Sequence, residues 1–167
     1  NLLIEELGKN YATYFSILSA ISGGINTQPG IEAALGDKSI GGQIKRLIED
    51  YNIIVRQRPI LAKEGSQTVR YEIQDNFLRF WFNYFDRYRS LIEIKNFVGL
   101  QSIIKKDYPT YSGIMLERYF KQQFAESFQY RAIGSWWELK GYQNEIDIVG
   151  LKLEKNQAVV AEVKRQK

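Results

Sequence analysis

The chain has 167 residues and a net charge of +4, a length that suits one medium domain or two small ones. Hydrophobic residues make up 44% of it, charged residues 25% and aromatic residues 14%, a composition typical of a folded globular protein rather than a disordered one. It contains no apolar run of the roughly 20 residues that cross a bilayer and no signal-peptide pattern at its start. We therefore expect no membrane partner.

The chain contains no cysteine and no histidine. This excludes disulfides, zinc sites built on cysteine or histidine, and any Ser-His-Asp triad. Catalysis would have to use carboxylates, Lys, Tyr or Ser, and a metal ion would be a hard cation held by oxygen atoms. The simplest compartment for such a chain is the cytoplasm. Because it begins with Asn1 rather than Met and ends at Lys167, directly after a predicted strand, we expect a piece of a longer protein.

The basic residues concentrate in one segment, from Lys38 to Arg70, which has seven basic and three acidic residues. A basic surface of this kind suits a polyanion such as nucleic acid. An ordinary solvated face is the alternative, because an excess of four charges is small for a strong nucleic-acid binder.

The first part of the chain predicts three short helices followed by a hairpin. Apolar residues recur at helical spacing in three stretches, which Gly23-Gly24 and Gly36 separate. The third predicted helix begins near Ser39 and its apolar stripe extends to Tyr51. The segments IIVRQRPI and TVRYEI then flank the turn KEGSQ, which predicts two paired strands.

This order of elements is that of a winged helix-turn-helix, in which the third helix enters the major groove and the hairpin contacts the DNA backbone. Winged helices also serve as protein-docking modules, so both partners stay open. The residues whose side chains suit base edges or phosphates are Ser39, Gln43, Lys45, Arg46, Arg56, Arg58, Lys63 and Arg70.

An aromatic block, DNFLRFWFNYFDRY, starts at Asp75 and contains seven aromatic residues. It predicts one helix that is apolar nearly all round, as expected for a buried helix bridging two domains. Stacking of single-stranded bases on these rings, aided by neighbouring arginines, is the alternative. The predicted helical stripe consists of Phe77, Trp81, Tyr84, Tyr88, Leu91 and Ile92.

The remaining sequence predicts a helix over 111–128, preceded by Pro109, and then three strands within RAIGSWW, NEIDIVGL and QAVVAEVK. A tight turn centred on Lys155 and Asn156 joins the last two strands. The predicted fold class is therefore α+β.

Charged residues interrupt the last two apolar strands. Folding the hairpin on its turn places Asp147 opposite Lys164 and Val149 opposite Glu162, which gathers the three charged side chains on one face. Glu117, on the preceding helix, is expected to approach them. Such a group suits Mg²⁺ or Mn²⁺ and phosphodiester hydrolysis, with Lys164 orienting water or stabilising the transition state. The alternative is a buried Asp147–Lys164 ion pair with Glu162 on a solvated end.

The chain resembles the C-terminal region of archaeal-type AAA+ ATPases. The resemblance rests on YFSILSAIS, YEIQDNFLRFWFNYF, GIMLERYF, IGSWW, NEIDIV and VVAEVK, and it covers nearly the whole chain. It implies a winged helix (1–74), a helical connector (75–110) and a partial restriction-endonuclease-like domain of PD-(D/E)xK type (111–167). The catalytic positions that it implies are Glu117, Asp147, Glu162 and Lys164, with the metal held by Asp147 and Glu162.

The function expected on this basis is DNA binding and metal-dependent phosphodiester cleavage at the C-terminal end of a cytoplasmic ATPase. The alternative is a catalytically inactive module that binds protein or nucleic acid and regulates the ATPase. The chain contains no G-x-x-x-x-G-K-[ST] loop, so ATP would bind only in a missing N-terminal domain. Expected partners are nucleic acid, the protein's own ATPase domain and further copies in a ring. Nuclease-like folds of this kind usually continue beyond the residue matching Lys164, so the site is expected to be incomplete.

Overall fold

The computed structural model describes residues 5, 7, 8, 11–63, 65, 68–138, 144–154 and 156–165. It is an α+β structure, as the sequence predicts, and it divides into two compact units. The first unit comprises Asn1–Gln57 and Val69–Leu100, and the second comprises Arg58–Thr68 and Gln101–Lys167. None of the helices within the described ranges is long and apolar enough to cross a membrane.

The first unit begins with three helices and a two-stranded antiparallel sheet, in the predicted order. Their bounds are α1 (Tyr11–Ser22), α2 (Gln28–Ala34), α3 (Gly41–Glu49), β1 (Ile54–Gln57) and β2 (Arg70–Ile73). The strands are shorter than the predicted segments, and the turn residues Glu64, Ser66 and Gln67 lie outside the described residues.

The core of the first unit forms where the apolar faces of these elements meet. Ile17 and Leu18 of α1, Ile31 of α2 and Leu47 of α3 are fully buried in one cluster. Each comes from the apolar stripe of its helix, so the 3.6-residue periodicity of the sequence directly determines this core.

The aromatic block forms three successive helical pieces rather than the single helix that we predicted. These are α4 (Asn76–Phe80), a π-helix (Trp81–Asp86) and α5 (Arg89–Glu93). Asp75 begins the first piece, because its carboxylate accepts a hydrogen bond of 2.7 Å from the main-chain N–H of Leu78.

The π-helix changes which aromatic side chains are buried. A π-helix adds a residue to each turn, so residues beyond Phe80 depart from regular α-helical spacing. Phe82, which is outside the predicted stripe, is fully buried together with Tyr84 of the stripe. Phe77 belongs to the stripe but is 71% exposed on the preceding α4. The ring centroid of Phe82 lies 5.3 Å from that of Phe15 on α1, so this segment belongs to the core of the first unit.

A single long helix, α6 (Phe97–Glu126), follows the aromatic block. The prediction that a helix starts only after Pro109 was wrong, because Pro109 lies inside this helix. Proline removes one helical hydrogen bond, that to the Lys105 carbonyl. Pro109 is exposed, so water can satisfy the freed carbonyl. The predicted boundary between residues 110 and 111 therefore falls within a continuous helix.

The second unit contains a three-stranded antiparallel sheet of β3 (Tyr130–Trp137), β4 (Glu145–Lys152) and β5 (Ala158–Ala161). Strand β4 lies in the centre, between β3 and β5. The segment Arg58–Thr68 belongs to this unit, and the main-chain N–H of Ile60 donates a 2.8 Å hydrogen bond to the carbonyl of Ser135.

We predict that Ile31→Ala lowers the free energy of unfolding by about 2–5 kcal/mol, because Ile31 is fully buried and its truncation leaves a cavity. The measurement is urea denaturation followed by circular dichroism. Val98→Ala is the matched control, since Val98 is also β-branched and helical but is 80% exposed. Equal losses in both variants would contradict the assigned core.

Candidate functional site

Asp147 lies where the pairing of β4 with β3 shifts by one residue. One residue of β3, Ser135, faces two residues of β4, Asp147 and Ile148, which is a β-bulge. The hydroxyl of the buried Ser135 donates a 2.9 Å hydrogen bond to the main-chain carbonyl of Asp147. Bulges bend a strand and change the direction of a side chain, and they are common beside active sites.

On the other side of β4, the pairing with β5 ends next to Asp147. The final pair of this ladder joins Ile148 to Ala161. One residue further, the Asp147 carboxylate accepts a 2.7 Å hydrogen bond from the main-chain N–H of Val163. The side chain of Asp147 thus fixes the segment after β5, which carries the two other predicted site residues of this hairpin.

The predicted register of this hairpin was wrong by two residues. Val149 pairs with Val160 rather than with Glu162. When the observed register is continued by one residue, Asp147 lies opposite Glu162 instead of Lys164. The shift is even, so the side-chain alternation is kept and the same residues are assigned to one face. Strand β5 ends at Ala161, so Glu162 and Lys164 lie beyond it.

The cause of the register error is the turn. The main-chain N–H of Lys152 donates a 3.0 Å hydrogen bond to the carbonyl of Gln157, so four residues separate the paired ends. Asn156 has φ of +68°, a left-handed conformation that asparagine tolerates well. The sequence favoured a two-residue turn, of which Lys155 lies outside the described residues.

Glu162 and Lys164 form an ion pair at the surface. Their Oε1 and Nζ atoms are 2.9 Å apart, and the side chains are 66% and 76% exposed. An ion pair this exposed contributes about 0–1 kcal/mol, so either group can take another partner at small cost.

Glu117 lies on α6 and pairs with Lys121 one turn later on the same helix. Both side chains are about one-quarter exposed. Within the described residues no three or more acidic side chains are grouped to hold a metal ion. Among the described residues, the structure therefore does not bring Glu117 together with Asp147 and Glu162 as a group of metal ligands.

The oxygen donors at the hairpin are of the type that Mg²⁺ and Mn²⁺ prefer. Mg²⁺ is often held by only one or two protein carboxylates, with water and substrate phosphate completing its six ligands. Asp147 and Glu162 would supply the two carboxylates. Asp147 is already oriented by Val163, whereas Glu162 would have to leave Lys164 to reach a cation.

The basic side chains of α3 are exposed, but each has an acidic neighbour. Lys45 pairs with Glu49 at 3.7 Å and Arg46 with Asp50 at 3.4 Å, and all four side chains are more than half exposed. Such pairs are weak, so phosphate groups can compete for the cations. The two acids reduce the net charge that α3 presents.

Arg46 is also held from the core side. A hydrogen bond to the side chain of Tyr14 and the nearby Tyr51 and Asp50 raise the pKa of Arg46 above its usual value. Tyr14 is buried on α1, so this contact holds the Arg46 guanidinium close to that helix. Ser39 precedes α3 and is exposed, whereas Gln43 on its first turn is half-buried.

The arginines of the two-stranded sheet do not share a face. Arg56 pairs with Tyr71, and Arg70 pairs with Gln57. Since neighbouring residues of a strand point to opposite faces, the register assigns the two arginines to different sides of the sheet. Arg58 and Lys63 are exposed and belong to the second unit.

The first unit has no net charge, so the net positive charge of the chain lies in the second unit. That unit has ten basic and ten acidic residues, whereas the second unit has thirteen basic and nine acidic residues. The whole excess of four positive charges therefore lies in the unit that carries Asp147, Glu162 and Lys164. The distribution of charge along the sequence does not reveal this, because the basic segment from Lys38 to Arg70 contributes residues to both units.

Comparison with known proteins identifies one family. The sequence model of the DUF234 family, described as archaeal and bacterial proteins of unknown function, matches residues 81–167. An uncharacterized protein of Methanocaldococcus jannaschii is 36% identical over 163 residues, which cover 91% of this chain and 35% of the relative. The chain thus spans about a third of the length of that relative. No solved structure matches the chain significantly.

We predict that Asp147→Ala increases the hydrogen-exchange rate of the Val163 amide, because the carboxylate that accepts its hydrogen bond is removed. A hydrogen bond to a charged acceptor contributes about 1.5–3 kcal/mol, so protection should fall by about tenfold or more. Exchange measured by NMR checks this.

Asp147→Asn should retain much of the protection, because its amide oxygen can still accept the hydrogen bond. Glu154→Ala, on the same hairpin but bonded to Gln157, is the control and should leave Val163 unchanged. Unchanged exchange in Asp147→Ala would contradict the described contact.

Proposed function

We propose that this chain, which belongs to the DUF234 family of archaeal and bacterial proteins, is a nucleic-acid-processing region of a larger ATPase. Its reaction is metal-dependent phosphodiester hydrolysis by a PD-(D/E)xK-type nuclease-like site in the second unit. The observation that carries the proposal is the arrangement of Asp147 at a bulge of β4, opposite Glu162 in register, with Lys164 paired to Glu162.

Each side chain of this group has a defined role in the proposal. The carboxylates of Asp147 and Glu162 hold Mg²⁺ or Mn²⁺, which would neutralise charge on the phosphate and lower the pKa of a water molecule. Lys164, released from Glu162, contacts the phosphate oxygen on which negative charge develops. Glu117 is the further carboxylate that the family resemblance implies, at present paired with Lys121.

The charge distribution supports a polyanionic substrate at this site. The second unit carries all of the net positive charge, and Arg58, Lys63 and Arg165 are exposed within it. An excess of basic residues raises the local concentration of a negatively charged strand. It would also offset the repulsion between the carboxylates and the phosphates.

The first unit, in this proposal, is a winged helix-turn-helix that contacts DNA through α3. The order of three helices and an antiparallel strand pair supports this assignment. Lys45 and Arg46 are the expected phosphate contacts, with Ser39 and Gln43 beside them. Only one of Arg56 and Arg70 can face the same groove, because they lie on opposite faces of the strand pair.

A regulatory module without catalytic activity is the second candidate. The described residues group no third acidic ligand with Asp147 and Glu162, and Glu162 is occupied by Lys164. In this case the chain would bind nucleic acid or the ATPase domain of its own protein and transmit that binding. The ring assembly common in AAA+ proteins would place several copies side by side.

Cleavage separates the two candidates. We expect the purified protein with Mn²⁺ to nick supercoiled plasmid, and Asp147→Asn to reduce the rate by about 100-fold, because one metal-binding carboxylate is lost. Lys164→Gln should also reduce it. Glu154→Gln removes a carboxylate at the far end of the same hairpin and should cut at the normal rate.

Equal cutting by all four proteins would reveal a contaminating nuclease, and no cutting by any would exclude catalysis by this chain. Both results favour the regulatory module.

DNA contact by α3 has its own test. We expect replacement of Lys45 and Arg46 by glutamine to weaken DNA binding and to reduce the slope of log K against log [salt] by about 0.9 for each lost phosphate contact. Fluorescence anisotropy of a labelled duplex at several salt concentrations measures this. Lys95→Asn removes one exposed charge from the same unit and should change neither quantity. An unchanged slope in the double variant would exclude α3 from the DNA interface.

A further inference from the structure

An open groove of about 690 Å³ runs along α1 in the first unit, on residues that the proposed function does not use. Its floor consists of small side chains spaced by about one helical turn: Ala12, Ser16, Ala20 and Gly23. Small residues allow the backbone of another element to approach closely. Ile25, which is 43% exposed, adds an apolar side chain to the wall.

Two cationic side chains line this groove, Lys38 and Arg87. Both are exposed, and within the described ranges neither forms an ion pair with an acidic side chain. The Arg87 guanidinium lies beside Gly23 at the end of α1 and 5.9 Å from the ring centroid of Tyr88. The carbonyl end of a helix favours a cation, which suits the location of the Arg87 guanidinium.

Asp86, the neighbour of Arg87 in the sequence, is anchored to α1. The carboxylate of Asp86 accepts a 2.6 Å hydrogen bond from Ser19 of α1 and pairs with Arg89 at 2.7 Å. The Asp86 side chain is only 12% exposed, so its charge is compensated and largely covered. The end of the π-helix is therefore anchored to α1, and the next residue, Arg87, lines the groove.

The hydroxyl groups that line the groove do not favour a phosphate or nucleotide as the occupant. The Ser16 hydroxyl donates to the carbonyl of Ala12, and the Ser19 hydroxyl donates to Asp86. Two of the three hydroxyl groups that line the groove are thus already used as donors, the third being that of Thr13. The other recognition elements are small apolar side chains and two separate cations. This combination is complementary to an amphipathic helix that carries carboxylates beside its small apolar face.

We propose that this groove binds an acidic amphipathic helical segment of a partner protein. The small apolar residues of that helix lie on the floor formed by α1, and its carboxylates pair with Lys38 and Arg87. The interaction surface uses neither α3 nor the β4–β5 hairpin, so its failure and that of the proposed function can be told apart.

The test selects peptides on the purified protein from a display library of 16-residue helical sequences. We expect enriched peptides to carry two or more Asp or Glu residues at helical spacing. The strongest one, labelled with fluorescein, should bind about tenfold more weakly to Lys38→Glu and to Arg87→Glu because of charge repulsion. Lys95→Asp is the matched charge reversal outside the groove, at a residue whose φ of +58° aspartate tolerates.

Arg87 also contacts the end of α1, so its substitution could affect folding. Arg87→Gln and the circular dichroism spectrum of each variant control for this. Lys38→Glu changes an exposed loop residue and needs no such control. Hydrogen exchange should show protection along α1 when the peptide binds. The proposal is wrong if no acidic helical sequence is enriched, or if both glutamate variants bind the peptide like the wild type. Protection at α3 or in the second unit instead of α1 would also overturn it.

Discussion

The hydrogen bond between the Asp147 carboxylate and the Val163 N–H is the contact on which the arrangement of the candidate site depends. Strand β4 is paired on both edges from Val149 to Leu151, but near Asp147 a bulge interrupts one edge and the β5 ladder ends at the other. The Asp147 carboxylate accepts a hydrogen bond from the main chain of the neighbouring segment, where among the described residues no further main-chain pair joins β4 to β5. It brings the segment carrying Glu162 and Lys164 beside β4 after regular pairing has stopped.

The sequence predicted the fold best for helices that have one apolar face, because that face is the one buried in the core. Ile17, Ile31 and Leu47 follow helical periodicity, and all three are fully buried in the core of the first unit. The order of the first three helices and the two strands that follow them was also predicted. Thr27 and Asp75 cap the helices that start after them. Helical periodicity and capping depend on residues close together in the sequence, so they can be recognised in a single sequence.

Three features were not predicted: the length of the turn before β5, the π-helix and the helical position of Pro109. The turn before β5 has Asn156 in a left-handed conformation, and the choice between a two-residue and a four-residue turn changes the register by two. The even shift preserved the assignment of Asp147 and Glu162 to one face. The π-helix and the helical Pro109 depend on packing and solvation, which have no signature in the spacing of apolar residues.

The candidate site combines one fixed group with two that can change partners. Asp147 is held by the main chain of its own hairpin, whereas Glu162 and Lys164 are paired with each other at the surface. Because an exposed ion pair contributes little to stability, folding does not depend strongly on this pairing. Separation of the pair would free a carboxylate for a cation and an ammonium for a phosphate at the same step. In the proposed function, a substrate that brought both a phosphate and its counterion would supply the two partners needed for that exchange, so binding and assembly of the site would be coupled.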